Sequence, residues 1–100
     1  MKISVVSGGF DPILSGHISY LKSEKKIGDY LIVALNSDKW LINKKKKVFM
    51  PLQERKSILM NISFVDEVIT FKDDKEGSCI SALEKIKEKY PDDEIIFCNG

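Results

Sequence analysis

Residues 7–17 read Ser-Gly-Gly-Phe-Asp-Pro-Ile-Leu-Ser-Gly-His and end on the only histidine in the chain. An apolar run leads into them. Gly8 and Gly9 permit a sharp turn and let backbone approach a ligand with no Cβ in the way. Ser15 is a candidate N-cap for a following helix, whose first turn then holds Gly16 and His17. A helix start offers unpaired N–H groups and the positive end of its dipole, and together these attract anions. An imidazole in that turn can donate to the same anion. The chemistry suggested is phosphate binding, with His17 on a phosphoryl oxygen. Plainer readings exist for each part: Gly-Gly turns are common, and a lone histidine at a helix start is often only solvated. The stretch is neither a G-x-G-x-x-G dinucleotide fingerprint nor a P-loop.

Four short apolar runs can carry such a site: KISVVS at 2–7, YLIVAL at 30–35, FVDEVITF at 64–71 and EIIFCN at 94–99. The first two are almost continuous, as strands buried on both faces are. Helical spacing fills the stretches between. Ile18, Leu21 and Ile27 mark 15–27. Leu52, Leu59 and Ile62, with Ile58 beside them, mark 51–62. Ile80, Leu83, Ile86 and Tyr90 mark 77–90. Pro51 suits a first turn, and Pro91 stops the third helix. The order β-α-β-loop-α-β-α-β predicts an α/β fold, a Rossmann-like parallel sheet of four to five strands with helices on both faces. Ligands of such sheets bind beyond the carboxyl ends of the strands, where residues 7–17 fall. Trp40 is placed in the loop after the second strand, packed on a sheet edge or a partner subunit rather than stacked on a ring. The polar stretch 72–78 reads as a surface loop whose acids lie at a strand's carboxyl end, where substrate could be selected.

One hundred residues suit a single domain, 1–100, and 43% hydrophobic with 31% charged residues is ordinary globular composition. The net charge of +1 argues neither for nor against nucleic acid. The lysine run 44–47 alone would bind it weakly and salt-sensitively, so no nucleic-acid partner is expected. Arg55 is the only arginine beside fifteen lysines, 16 cations in all. Cys79 and Cys98 lack metal-ligand spacing and read as free thiols in a reducing compartment. No run reaches membrane-spanning length and no signal-peptide pattern opens the chain, so a cytoplasmic protein without a membrane partner is expected.

The string GGFDPILSGHISYL resembles the signature of the HxGH nucleotidyltransferases, written G-x-F-D-x-x-H-x-G-H. GDYLIVALNSD at 28–38, PLQERKSIL at 51–59 and VDEVI at 65–69 are similar to the cytidylyltransferase-like branch that acts on glycerol 3-phosphate. NSD and FKDD are also similar to the heptose-phosphate adenylyltransferases. The resemblance implies transfer of CMP or AMP from CTP or ATP, accompanied by Mg²⁺, to a phosphorylated alcohol or sugar, with release of pyrophosphate. Partners are then the nucleoside triphosphate and the phosphorylated substrate, and the state a homodimer.

Site residues follow from the motif. His17 matches the second histidine and would contact the α-phosphate. Gly8, Gly9, Phe10 and Asp11 match the loop that cradles the nucleotide, and Gly16 matches the glycine that lets base or ribose come close. Lys44 and Lys46 fall where the family's mobile loop puts lysines on phosphates, although a solvated charge run is the ordinary reading of such a stretch. Arg55 matches an arginine that pairs with phosphate, or else is a helix-surface cation. Asp66 matches an acid that orients the acceptor or a neighbouring side chain, and Asp38 does so more weakly; Asp66 also reads as a strand-edge charge. No protein metal-ligand set is expected.

Three features depart from the pattern. Leu14 stands where the first histidine belongs and cannot donate a hydrogen bond. Ser63 stands where the cytidylyltransferases carry a nucleotide-contacting arginine. The family's Gly-Asp turn, next strand and Ser/Thr-rich helix start would begin where the sequence reads Phe97–Gly100, so the domain is expected to lack that segment.

Overall fold

The computed structural model describes residues 1–72 and 79–98. The expected acidic loop at 73–78 and the end of the last apolar run, Asn99, lie outside the described residues. The strands are β1 (Lys2–Gly8), β2 (Tyr30–Leu35), β3 (Glu67–Thr70) and β4 (Glu94–Cys98). The helices are α1 (Ser15–Lys25), α2 (Asp38–Lys45), α3 (Leu52–Met60) and α4 (Ile80–Lys89). All strand pairs are parallel, and the sheet order is β3-β2-β1-β4. This is the α/β, Rossmann-like sheet expected, with four strands.

Strand alternation divides the core. Val6, Leu31, Val33 and Leu35 point to one face, where they meet Leu21 of α1 and Leu59 of α3. Ile3, Val5, Ile32 and Ala34 point to the other and meet Ala82 and Ile86 of α4. Burial on both faces explains why β1 and β2 read as unbroken apolar runs. The chain adds β2 and β3 on one side of β1 and then returns to place β4 on the other. With one hand of crossover, that reversal puts α4 on the opposite face from α1 and α3. It also makes the gap between β1 and β4 the switch point, the place where sheets of this kind bind their ligands.

The loop expected after β2 contains α2, and this is a correction. Ser37 caps it, its Oγ accepting the Trp40 N–H at 3.0 Å. Asp38 sits favourably in the first turn, and Leu41 is buried. Trp40 therefore lies on a helix. β3 is shorter than the apolar run around it because Val65 closes a turn onto Ile62 and Asp66 begins the pairing with β2.

Candidate active site at the carboxyl ends of the strands

β1 runs out at Gly8, and the chain turns at Phe10, which takes a left-handed φ of 51° while its ring stays buried. That ring sits edge-on to the His17 ring, with centroids 5.3 Å apart and planes at 77°. A Cβ on Gly8 would come within 2.9 Å of the Phe10 ring, and one on Gly9 within 2.6 Å of Leu41. Both glycines are therefore needed for the protein's own packing, of Phe10 and of α2 respectively. Gly16 is exposed, and a Cβ there would meet nothing within 4 Å.

Leu14, not Ser15 as expected, is the N-cap of α1, in extended conformation. Its carbonyl accepts from His17 N–H at 2.9 Å, and its own N–H donates to His17 Nδ1 at 3.0 Å. Nδ1 is occupied as an acceptor, so the ring proton is on Nε2 and Nε2 is a hydrogen-bond donor. Phe10 and Leu14 together fix the half-buried imidazole in tautomer and in plane. Neighbouring N–H groups of Ser15 and Gly16 have no carbonyl four residues back inside the helix. The Leu14 side chain, 57% exposed, offers only apolar surface beside this donor set.

The lysine run caps α2 and leads away from it. Lys46 is the C-cap, with a left-handed φ of 70°. Lys44 Nζ lies 4.6 Å from the Trp40 ring centroid, and Lys47 Nζ 4.5 Å from that of Phe49. Lys44 and Lys46 are solvent-exposed. Lys45 differs: it donates to the Asp11 carbonyl and pairs with the Asp11 carboxylate at 3.0 Å. Sequence reasoning passed over Lys45. The usable signal was its place four residues after Leu41, hence on the buried face of α2.

Asp11 has a fully covered side chain. Burial pushes its carboxyl pKa up, but the N–H groups of Phe49 and Met50 and the Lys45 ammonium outweigh this and hold it below the usual aspartate range. Arg55 is 0% exposed, and its guanidinium donates to the carbonyls of Met50, Gly9 and Asn36 at 2.8 Å each. Nη2 meets Asp38 Oδ1 at 2.6 Å. It is not the helix-surface cation that its spacing allowed; its donors are taken up by main-chain carbonyls and the Asp38 carboxylate. Asp38, 43% exposed, lies at the end of β2 beside these groups.

For Asp66 the structure favours the strand-edge reading over the acceptor one. It lies at the amino end of the sheet, away from the other candidates. Its Oδ2 accepts from the Leu31 N–H at 2.7 Å and pairs with Lys25. The cause is topological: Asp66 precedes β3, and in a parallel sheet a strand's start and the β1 carboxyl end lie on opposite edges. The structure thus gathers Gly8, Gly9, Phe10, Asp11, Gly16, His17, Asp38 and Arg55, and the arm bearing Lys44 and Lys46, at one end, and leaves Asp66 at the other. Among the described residues, no group of three or more His, Cys, Asp or Glu could hold a metal ion.

Known proteins place this arrangement. A family model described as cytidylyltransferase-like matches residues 5–99. The glycerol-3-phosphate cytidylyltransferase of Bacillus subtilis (strain 168) is 43% identical over 72 residues, covering 72% of this chain and 56% of the relative. The bifunctional protein HldE of Yersinia pestis (strain Pestoides F) is 42% identical over 85 residues, 82% of this chain but 18% of that protein. The chain thus spans about half of the first relative and under a fifth of the second. A solved lipopolysaccharide core biosynthesis protein from Thermoplasma volcanium GSS1 superposes with a TM-score of 0.73 at 23% identity, covering 99% of this chain and 97% of that one, and so shares the fold. The extent of the family match, together with a strand-end turn leading into a helix whose first turn holds Gly16 and His17, shows that this chain belongs to the cytidylyltransferase-like family.

Proposed function

We propose that this domain is a nucleotidyltransferase that moves CMP or AMP from CTP or ATP onto a phosphorylated alcohol or sugar. A phosphate oxygen of the acceptor attacks the α-phosphorus, the bond from that phosphorus to the bridging oxygen breaks, and pyrophosphate leaves. No covalent link to the protein is needed, so catalysis is positioning and charge stabilisation. His17 Nε2–H, held by Phe10 and Leu14, donates to an α-phosphoryl oxygen as charge builds there. The first-turn N–H groups of α1 support the same anion. Lys44 and Lys46 neutralise the leaving phosphates, and Gly16 leaves room for base or ribose. The half-exposed Asp38 would face the acceptor, or a hydrated Mg²⁺ brought by the triphosphate. The buried and fully paired Asp11 does not suit that ion, which prefers water, phosphate oxygens and one or two open carboxylates. When bound, Mg²⁺ would supply charge neutralisation on the phosphates. The reading includes a homodimer and a cytoplasmic setting; the free thiols Cys79 and Cys98 accord with the latter. No described helix is long and apolar enough to cross a membrane.

The single observation that carries this reading is the imidazole locked as an Nε2 donor beside a helix start at the sheet's carboxyl end. Incubation with CTP or ATP, Mg²⁺ and candidate phosphates should release pyrophosphate. Loss of one donor to a developing oxyanion costs about 10²–10³ in rate, so His17→Ala should reduce release by that factor and Leu14→His should raise it. Release indifferent to His17 would refute the site.

Leu14 also favours a second reading, a nucleotide-binding module with little or no turnover. Calorimetry would then show CTP or ATP binding while no acceptor yields pyrophosphate.

A further inference from the structure

Asp11 and Arg55 resemble ligand-contacting residues in sequence, yet both side chains are wholly covered. Their hydrogen bonds converge on Met50. The Met50 N–H donates to Asp11 Oδ1 at 2.5 Å, and the Met50 carbonyl accepts from Arg55 Nε at 2.8 Å. The neighbouring Phe49 N–H donates to Asp11 Oδ2 at 2.8 Å, and Lys45 closes the same carboxylate from the end of α2. The other side of each contact is rooted under the site. Asp11 follows the strand-end turn directly. Arg55 Nη1 holds the carbonyls of Gly9 and Asn36, the residues that follow β1 and β2, from a helix that packs on the core.

We propose that Asp11 and Arg55 are positioning residues, forming a two-sided latch on Met50 that fixes the segment leaving α2 and so holds the lysines at that helix end, Lys44 and Lys46, in register with His17. The ligand of those lysines rests on the nucleotidyltransferase reading; the latch itself does not. The segment between the α2 cap at Lys46 and the α3 cap at Pro51 has no regular structure, and its order comes from these bonds. An unlatched arm would have to be ordered each time phosphates bind, whereas a latched one is set in advance. Misplacement of about 1 Å in such an arm lowers a rate on the order of 10²-fold. Both partners need their charge chemistry. A carboxylate accepts two adjacent N–H groups, while an amide in its place turns a donor toward one of them. A guanidinium reaches three carbonyls and a carboxylate from one plane, and lysine cannot.

Two measurements on the full chain test this. The first is amide exchange in Asp11→Asn, an isosteric change. Exchange at Phe49 and Met50 should rise at least about tenfold while Val33 in the central strand keeps its protection; unchanged exchange at Phe49 and Met50 overturns the latch. The second is pyrophosphate release. Asp11→Asn should lower kcat about 10²-fold. That loss should vanish in a Lys44→Gln/Lys46→Gln background, where nothing remains to be positioned. Fully additive losses would mean that Asp11 touches substrate itself, which also overturns the proposal. A chain that releases no pyrophosphate at all refutes the functional reading, while the exchange result still decides the latch.

Discussion

The two ends of the sheet use the same kinds of charged residue in opposite ways. At the carboxyl end, Asp11 and Arg55 are covered, and most of their bonds go to main-chain groups of loops. At the amino end, side chains chiefly meet side chains, and several remain in water. Lys25 pairs with Asp66, and Lys89, 59% exposed, pairs with Glu67, whose carboxylate also accepts from Tyr30 and Tyr90 at 3.0 and 2.7 Å. The difference follows from what each end must satisfy. Loops at the carboxyl end leave polar backbone without helix or sheet partners, and buried backbone has to be paired. The amino end has only to clip helix ends to strands. Ordered loops at the strands' carboxyl ends suit a binding site, and clipped helix ends do not.

The largest effect expected from this contrast is on stability at the carboxyl end. Arg55→Ala strips donors from three carbonyls and leaves Asp38 without its partner. Removing one member of a buried charged pair costs about 3–5 kcal/mol, and because Asp38 is half exposed the lower end, about 3 kcal/mol, is expected. A fall in the urea midpoint with unchanged slope would show it. A loss of only a few tenths would erase the distinction between the two ends.

Asp66→Ala tests the opposite end and should do less. It removes a partly exposed ion pair and one bond to the Leu31 N–H, together about 1 kcal/mol. Urea unfolding should register that loss while the KM for the acceptor stays where it was. A raised KM for the acceptor would return Asp66 to the site, where its motif position first suggested it.

The smallest expected effect is local and depends on pH. The Asp11 pKa is lowered from 3.8 in the folded state, so its contribution is complete above that ordinary value and is lost as pH falls through the lower folded one. Acidification through that window should release the Phe49 and Met50 amides before the sheet itself unfolds, and in Asp11→Asn this acid step should be absent. Amide protection followed by NMR against pH would read it. Simultaneous loss of both regions would mean that the arm has no separate anchor.

Much of the fold was legible because burial leaves a periodic record. Unbroken Val, Ile and Leu in β1 and β2 announced strands covered on both faces, and the Ile and Leu spacing of α4 announced its packed side. α2 was missed because it is short and buries mainly Leu41, so composition there was dominated by lysines. Its start signal, Ser37 followed by Asp38, was present and undervalued. His17 was legible from its uniqueness and its place after a turn. The partners of Asp11 and Arg55 were not, because Met50 contributes only backbone groups, and these carry no residue-specific signal.

By itself the sequence determined the parallel sheet, the turn at the carboxyl end of β1 and the histidine placed after it, because hydrophobic period and glycines act over a few residues. Only the tertiary structure decided that Asp11 and Arg55 face inward onto the arm, that Lys45 rather than its neighbours joins them, and that Asp66 belongs to the far edge. Those outcomes depend on contacts between residues some twenty to forty positions apart. Local pattern does not encode which of several like charges will find a buried partner.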